Sequence, residues 1–274
     1  MKNSLVFFVF HFFFAPLGAF SFFGADLLAF DQPIEVVIQI LGGKNQIKKK
    51  NFLTPNETKQ VNDAIDRAIA GLRSAQLPNG SFGDGIPAKS FPASLRLWPV
   101  GYAAFPALAL LECGFPPGNA TIEKSAAFVR ENAASLTRTY EIALAIFFLD
   151  RLGMEKDRPL IRLLALRLVA SQTNFGGWGY YCPILSPAQE KKVLENLKNQ
   201  KPDKDAKPFP IPKNTGPQER ADNSNTQFAI FALWAARRHD LALDFPIFQL
   251  ERRFRSSQQA KGWGYFSNGG YKRS

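Results

Sequence analysis

The sequence predicts an all-α protein built from helix pairs in series, and three observations carry that expectation. Apolar residues recur at helical spacing in one segment after another. Segments that are apolar all round alternate with segments that carry a single apolar stripe. A Gln-then-Gly-then-aromatic turn recurs as SAQLPNGSFGDG (74–85), SQTNFGGWGYYCP (171–183) and SSQQAKGWGYF (256–266). A helix that is apolar on every side must be buried on every side, whereas a striped one faces water on its polar side. Pairs of the two kinds, repeated, stack into a helical array with the apolar members inside.

The elements follow in chain order. MKNSLVFFVFHFFFAPLGAFSFFGA starts with one Lys, continues in an apolar run and ends in small residues, the layout of a secretory signal. Residues 1–23 are therefore expected to be a leader or an N-terminal membrane anchor, which places the chain outside the cytoplasm. Leu17 fits a cleavage site poorly, and a start codon read too far upstream is the alternative. Residues 24–53 form a linker in which IEVVIQIL (34–41) is a short strand candidate. Residues 54–274 hold the repeats. TPNETKQVNDAIDRAIAGLRSAQ opens on a capping box, Thr54 with Glu57, and has Pro55 at the first helical position. WPVGYAAFPALALLECG (98–114) is apolar and NATIEKSAAFVRENAASL (119–136) is striped. TRTYEIALAIFFLDRLG (137–153) and DRPLIRLLALRLVASQ (157–172) repeat that order, as do NSNTQFAIFALWAARRHD (223–240) and FPIFQLERRFRSSQQ (245–259). Aligning the later two apolar segments puts Thr139 on Thr226 and Arg151 on Arg238, and nearly the same offset carries Gln172 onto Gln258. An acid- and Lys-rich helix candidate runs into a Pro/Lys-rich linker over 186–221. It lacks the composition of a core and is expected to loop out.

Two cysteines, Cys113 and Cys182, stand far apart with no CxxC and no nearby His. Ordinary thiols and no metal site are the expectation. The net charge of +11 comes largely from KNQIKKKN (44–51) and the 188–220 stretch. Nothing resembles a nucleic-acid module, so an anionic membrane surface is the partner such charge suits.

The recurring turn reads as a clasp. A Gln amide both donates and accepts, so at the end of one helix it can serve the orphan carbonyls there and the orphan N–H groups that open the next. The glycines supply left-handed backbone, and Phe82, Trp178 or Trp263 covers the junction. Gln76-x-x-x-Gly80-x-Phe82 and Gln172-x-x-x-Gly176-x-Trp178 resemble the Gln–Trp motifs of squalene–hopene cyclases and their relatives, the prenyltransferase/squalene-oxidase repeat proteins. Gln258…Gly262-Trp263 is similar, one residue short. The resemblance covers roughly residues 55–266 and implies an α/α toroid, here incomplete at about three helix pairs. A partial reading of a longer chain, or an open arc that binds something, are the two expectations this raises.

The resemblance also supplies two tests of chemistry. The proton donor of the cyclases lies in an Asp-x-Asp-Asp-Thr motif, and the matching residues here are Asp222, Asn223, Ser224, Asn225 and Thr226. Ser224 stands where that acid would be, and a hydroxyl is too weak to protonate an isolated alkene. The zinc site of the prenyltransferases also lacks its ligands, because Ser224 replaces the thiolate and His239 lies far along a helix. No cofactor is implied. What is left is a polar ring at the tops of the apolar helices: Trp98, Tyr102, Tyr140, Ser224 and Asn225 as ligand-binding candidates, with Asp222 and Glu141 as the catalytic ones. The plainer alternative gives the two acids to helix starts. Gln76, Gln172, Trp178, Gln258 and Trp263 are expected to be structural. Three functions stay open: binding an apolar, isoprenoid- or lipid-like molecule; carbohydrate-active or other enzymology on the same scaffold; and protein recognition.

Overall fold

A computed structural model describes residues 53–82, 98–200, 221–260 and 262–266. The expected leader (1–23), the strand candidate (34–41) and residues 201–220 lie outside the described residues. The chain is all-α: eight α-helices with short 3₁₀ turns, and only isolated bridges in place of strands among the described residues. Two compact units meet within the first helix, Lys2–Ala68 and Ile69–Ser274.

The first unit contributes most of α1 (Pro55–Ala75). Thr54 and Glu57 form the expected reciprocal cap: the Thr54 N–H donates to the Glu57 carboxylate at 2.7 Å, and the Glu57 N–H donates to Thr54 Oγ1 at 3.2 Å. No residue of α1 is buried.

The second unit holds α2 (Pro99–Glu112), α3 (Ala120–Asn132), α4 (Thr139–Leu152), α5 (Arg158–Ser171), α6 (Pro187–Asn199), α7 (Asn223–Ala236) and α8 (Asp244–Ser257). α2, α4 and α7 form a row with α4 in the middle. α3 packs on α2, and α5 packs on both α4 and α7. The middle member buries most of its length, including Ile142, Ala145, Ile146, Phe148 and Leu149. That is the all-round apolar helix of the sequence in its expected place.

The three helices of the row run in the same sense. At their N-terminal ends Tyr140 stacks on Trp98 and its hydroxyl bonds Ser224. At their C-terminal ends Arg151 pairs with Glu112 at 2.6 Å, and Arg238 pairs with Asp150. Acids at the shared N-termini and arginines at the shared C-termini each oppose the helix dipole with the favourable sign.

The boundaries correct the internal alignment. Both ends of α4 recur in α7 at an offset of 84 positions, 139 to 223 and 152 to 236, so Thr139 matches Asn223 and not Thr226. The sequence pattern misses this because three residues is nearly one helical turn, which returns apolar residues to about the same face.

The Gln turns are clasps of one geometry. Gln76 Nε2 donates to the Thr121 carbonyl at 2.8 Å and to that of its own turn, Gly80. Gln172 Nε2 donates to the Pro246 carbonyl at 2.9 Å and to Gly176 at 3.1 Å. Each amide thus grips a carbonyl in the first turn of a later helix, α3 or α8. The expected role of serving that helix's orphan N–H groups is not what the bonds show. In each case the turn glycine has positive φ, +91° or +77°, and a Cβ on it would stand 2.2 or 2.1 Å from a carbonyl three residues further along the gripped helix. The aromatic residue completes the joint. Trp178 is fully buried and its indole N–H donates to the Leu168 carbonyl at 2.7 Å, near the end of α5, while Trp263 does the same to Phe254 in α8. Gln258 caps the end of α8, and Gly262 repeats the left-handed turn at φ +113°.

A proline couples the first clasp to the row. Pro106 sits inside α2 and has no N–H. The Tyr102 carbonyl four residues back is released, and it accepts the Phe82 N–H at 3.3 Å.

The helix candidate after residue 186 is present, but it docks where looping out was expected. It is α6, opened by a Ser186–Gln189 capping box, and it buries Val193 and Leu197 against α5. Two apolar residues four apart are enough to dock one face of a helix whose composition is otherwise polar.

Candidate ligand-binding face

The three parallel helices place one side-chain stripe each on the face turned away from their burial. On α4 it is Tyr140, Leu144 and Phe147; on α2 it is Trp98, at its N-cap, with Tyr102 and Phe105; on α7 it is Ser224, Phe228 and Phe231. The spacing of three and four residues keeps each set on one face. All are half-buried or exposed, although they belong to the most apolar helices of the chain. Phe105 and Phe231 keep 47% and 38% of their surface, more than isolated packing leaves to core phenylalanines.

Rings meet across the row at its N-terminal end. Trp98 and Tyr140 lie 5.5 Å apart and nearly parallel, and Phe228 meets Tyr140 edge-on at 4.7 Å. Tyr180, from the strand-like exit of the second clasp, completes the group at 6.4 Å. Such pairs contribute about 0.5–1.5 kcal/mol each beyond their burial. The Arg138 guanidinium lies over the Trp98 and Tyr181 rings.

The hydroxyls among these rings are neutral, and the Arg138 guanidinium is the charged group beside them. Desolvation raises the Tyr140 phenol above its ordinary value, and the nearby Asp222 charge adds to the effect. The Tyr265 phenol is pushed up to about 12, first by desolvation and then by Asp222. Both stay protonated at neutral pH, and the Tyr140–Ser224 contact is a bond between two hydroxyls.

The two candidate acids sit elsewhere. Glu141 is 3% exposed and accepts the N–H groups of Val100 and Gly101 at 3.2 and 3.3 Å, in the first turn of α2. Burial raises its carboxyl above the usual range, and those backbone donors hold it down in part. A Cβ on Gly101 would stand 3.5 Å from the Glu141 side chain and from Leu144, which is ordinary contact, so the pairing does not depend on glycine there. Asp222 is fully buried as the N-cap of α7: one oxygen accepts the Asn225 backbone N–H and the other its side-chain amide, both at 2.8 Å. Asn225 is thereby turned into the protein. The Asp222 N–H donates to the Trp178 carbonyl, and Thr226 Oγ1 accepts the Trp178 N–H at 3.0 Å, so the DNSNT stretch is the seat of the second clasp.

No family model, no curated protein and no solved structure matches the chain. The site therefore rests on its own geometry. That geometry brings Trp98, Tyr140 and Ser224 together and sets Tyr102 one turn along the same stripe. It assigns Glu141, Asp222 and Asn225 to helix starts. Phe105, Phe147, Phe228 and Phe231 join the face although the sequence did not single them out. Their i, i+4 and i+7 spacing was readable, but in a helix apolar all round nothing distinguishes the open stripe from the buried ones.

A separate groove of about 490 Å³ runs between α5 and α6, floored by Leu163, Leu166 and Leu194. Its rim arginines are engaged, Arg158 with Glu155 and Asp240, and Arg162 with the carbonyls of His239 and Asp240. No three His, Cys, Asp or Glu cluster among the described residues, and no described helix is long and apolar enough to cross a membrane.

Proposed function

We propose that this chain binds an elongated apolar molecule, isoprenoid- or lipid-like, along the aromatic face of α2, α4 and α7. The observation that carries the reading is the ring group Trp98–Tyr140–Phe228 on the half-buried to exposed face of otherwise apolar helices. Apolar surface left in water is costly at roughly 25 cal/mol per Å², and contiguous patches of it mark binding sites. The parallel row, the helices returning behind it and the Gln clasps support an α/α-toroid repeat, incomplete at about three helix pairs. The binding mode needs no proton donor. The enzymatic alternative loses support, because the Glu141 and Asp222 carboxylates are occupied by helix starts. Contact with an anionic membrane surface fits the net charge of +11, and export through a leader or anchor fits the apolar run of residues 1–23.

The test is extraction of the purified protein with organic solvent followed by mass spectrometry, together with melting curves against a panel of polyprenols and fatty acids. An apolar compound should co-purify or raise Tm, and Tyr140→Ala should weaken that binding about tenfold, the loss of one stacked ring. Absence of any apolar ligand from both measurements removes the reading.

A further inference from the structure

The first two clasps define what such a turn holds. In each, the Gln amide takes the carbonyl of a residue in the first turn of a helix, Thr121 or Pro246, and the turn glycine lies against the carbonyl three residues on, Lys124 or Gln249. The third turn has the same left-handed glycine, the same Gln at the end of its helix and the same indole-to-carbonyl bond. Yet among the described residues Gln258 has no hydrogen-bond partner, and a Cβ on Gly262 would meet nothing within 4 Å. The adjoining edge of α7 is open as well. Ala143 of α4 is buried and Asp150 is held by Arg238 and His239 just after α7, but their counterparts at the 84-residue offset, Gln227 and Trp234, are exposed. Among the described residues nothing engages this third turn, while its two copies each grip a helix.

α1 has the matching plug. It is a striped helix with no buried residue, its first turn (Pro55, Asn56, Glu57) is exposed, and its second residue corresponds to Thr121 of α3. Charge favours the match: α8 ends on exposed Arg252 and on Arg255, which pairs with Glu251, and α1 begins on Glu57, which caps Thr54.

We infer that the third clasp, Gln258 with Gly262, docks the first turn of α1 from a second copy of this chain, joining copies head to tail. Gln258 Nε2 donates to the carbonyl of Asn56 or Glu57, and the bare Gly262 admits the carbonyl three residues on. The contact is heterologous, so a pair of copies still has one free head and one free tail and can add further copies.

Sedimentation velocity of the full chain over a range of concentrations tests this. Wild type should associate with rising concentration, and Gln258→Ala should weaken association about tenfold, as the loss of one hydrogen bond does. Gly262→Val blocks the tail, and Val61→Glu, at a half-buried position next to the docked turn, blocks the head. Each of these should be monomeric alone, and the two mixed should form a dimer through the one intact head and the one intact tail. A monomeric wild type, association that survives both substitutions, or a mixture that stays monomeric would each overturn the inference. Association by another surface, such as an apolar leader, gives the second of these results. Loss of lipid binding with dimerisation intact would count against the proposed function alone.

Discussion

Glu141 shows how a residue that looks catalytic is used by the fold. Its carboxylate is taken out of water to accept two N–H groups that α2 could not satisfy internally. Burial dominates and raises its folded pKa above the ordinary 4.5, despite those donors. The group's stabilising contribution is therefore present below its unfolded value and is lost as pH rises through the higher folded one. Glu141→Gln keeps an acceptor oxygen without the charge. Urea unfolding between pH 4 and pH 8 should show wild type losing stability relative to Glu141→Gln as pH rises, and parallel curves would contradict this assignment. Asp222 carries the same lesson. Its position in DNSNT invited a reaction, but its two oxygens close a cap on Asn225. Sequence alone could not choose, because an acid at a helix start and an acid at a cavity mouth occupy the same place in the pattern.

At the scale of the element, the joints decide the architecture. Helix periods and caps were legible throughout: Thr54 with Glu57, Gly153 at the left-handed end of α4, and the Gln at the end of each clasping helix all stand where the spacing put them. The register between repeats was not legible, since a slip of three residues leaves the apolar pattern intact. The docking of α6 was hidden too, because Val193 and Leu197 are two apolar positions in a charged stretch. The clasps predict a contrast among three glycines with similar φ. Gly176→Ala or Gly80→Ala drives a Cβ into a backbone carbonyl at 2.1 or 2.2 Å and adds left-handed strain. Each should cost about 3 kcal/mol or more. Gly262→Ala meets only the strain, about 1 kcal/mol. Denaturant midpoints read the difference directly, and equal losses at Gly176 and Gly262 would show that the carbonyl approach is not what makes the turn need glycine.

For the molecule as a whole, the joints hold three parallel helices so that one face of each stays open, and the stripes merge into a ring-lined surface. The core behind it is apolar and continuous, from Val100 and Leu110 through Ile146 and Phe148 to Ala232 and Leu233. The helix ends are tied by charges, Arg151 to Glu112 and Arg130 bidentate to the buried Asp157. A scaffold closed on one side and aromatic on the other is suited to hold a ligand that offers area and little polarity. Tryptophan fluorescence tests that claim most directly, because Trp98 lies on the proposed face and Trp178 is sealed inside the second clasp. Titration with a brominated hydrocarbon-chain ligand should quench saturably, and Trp98→Phe should remove a large part of that quenching. Quenching that is absent, or that is unchanged in Trp98→Phe, would contradict binding on this face.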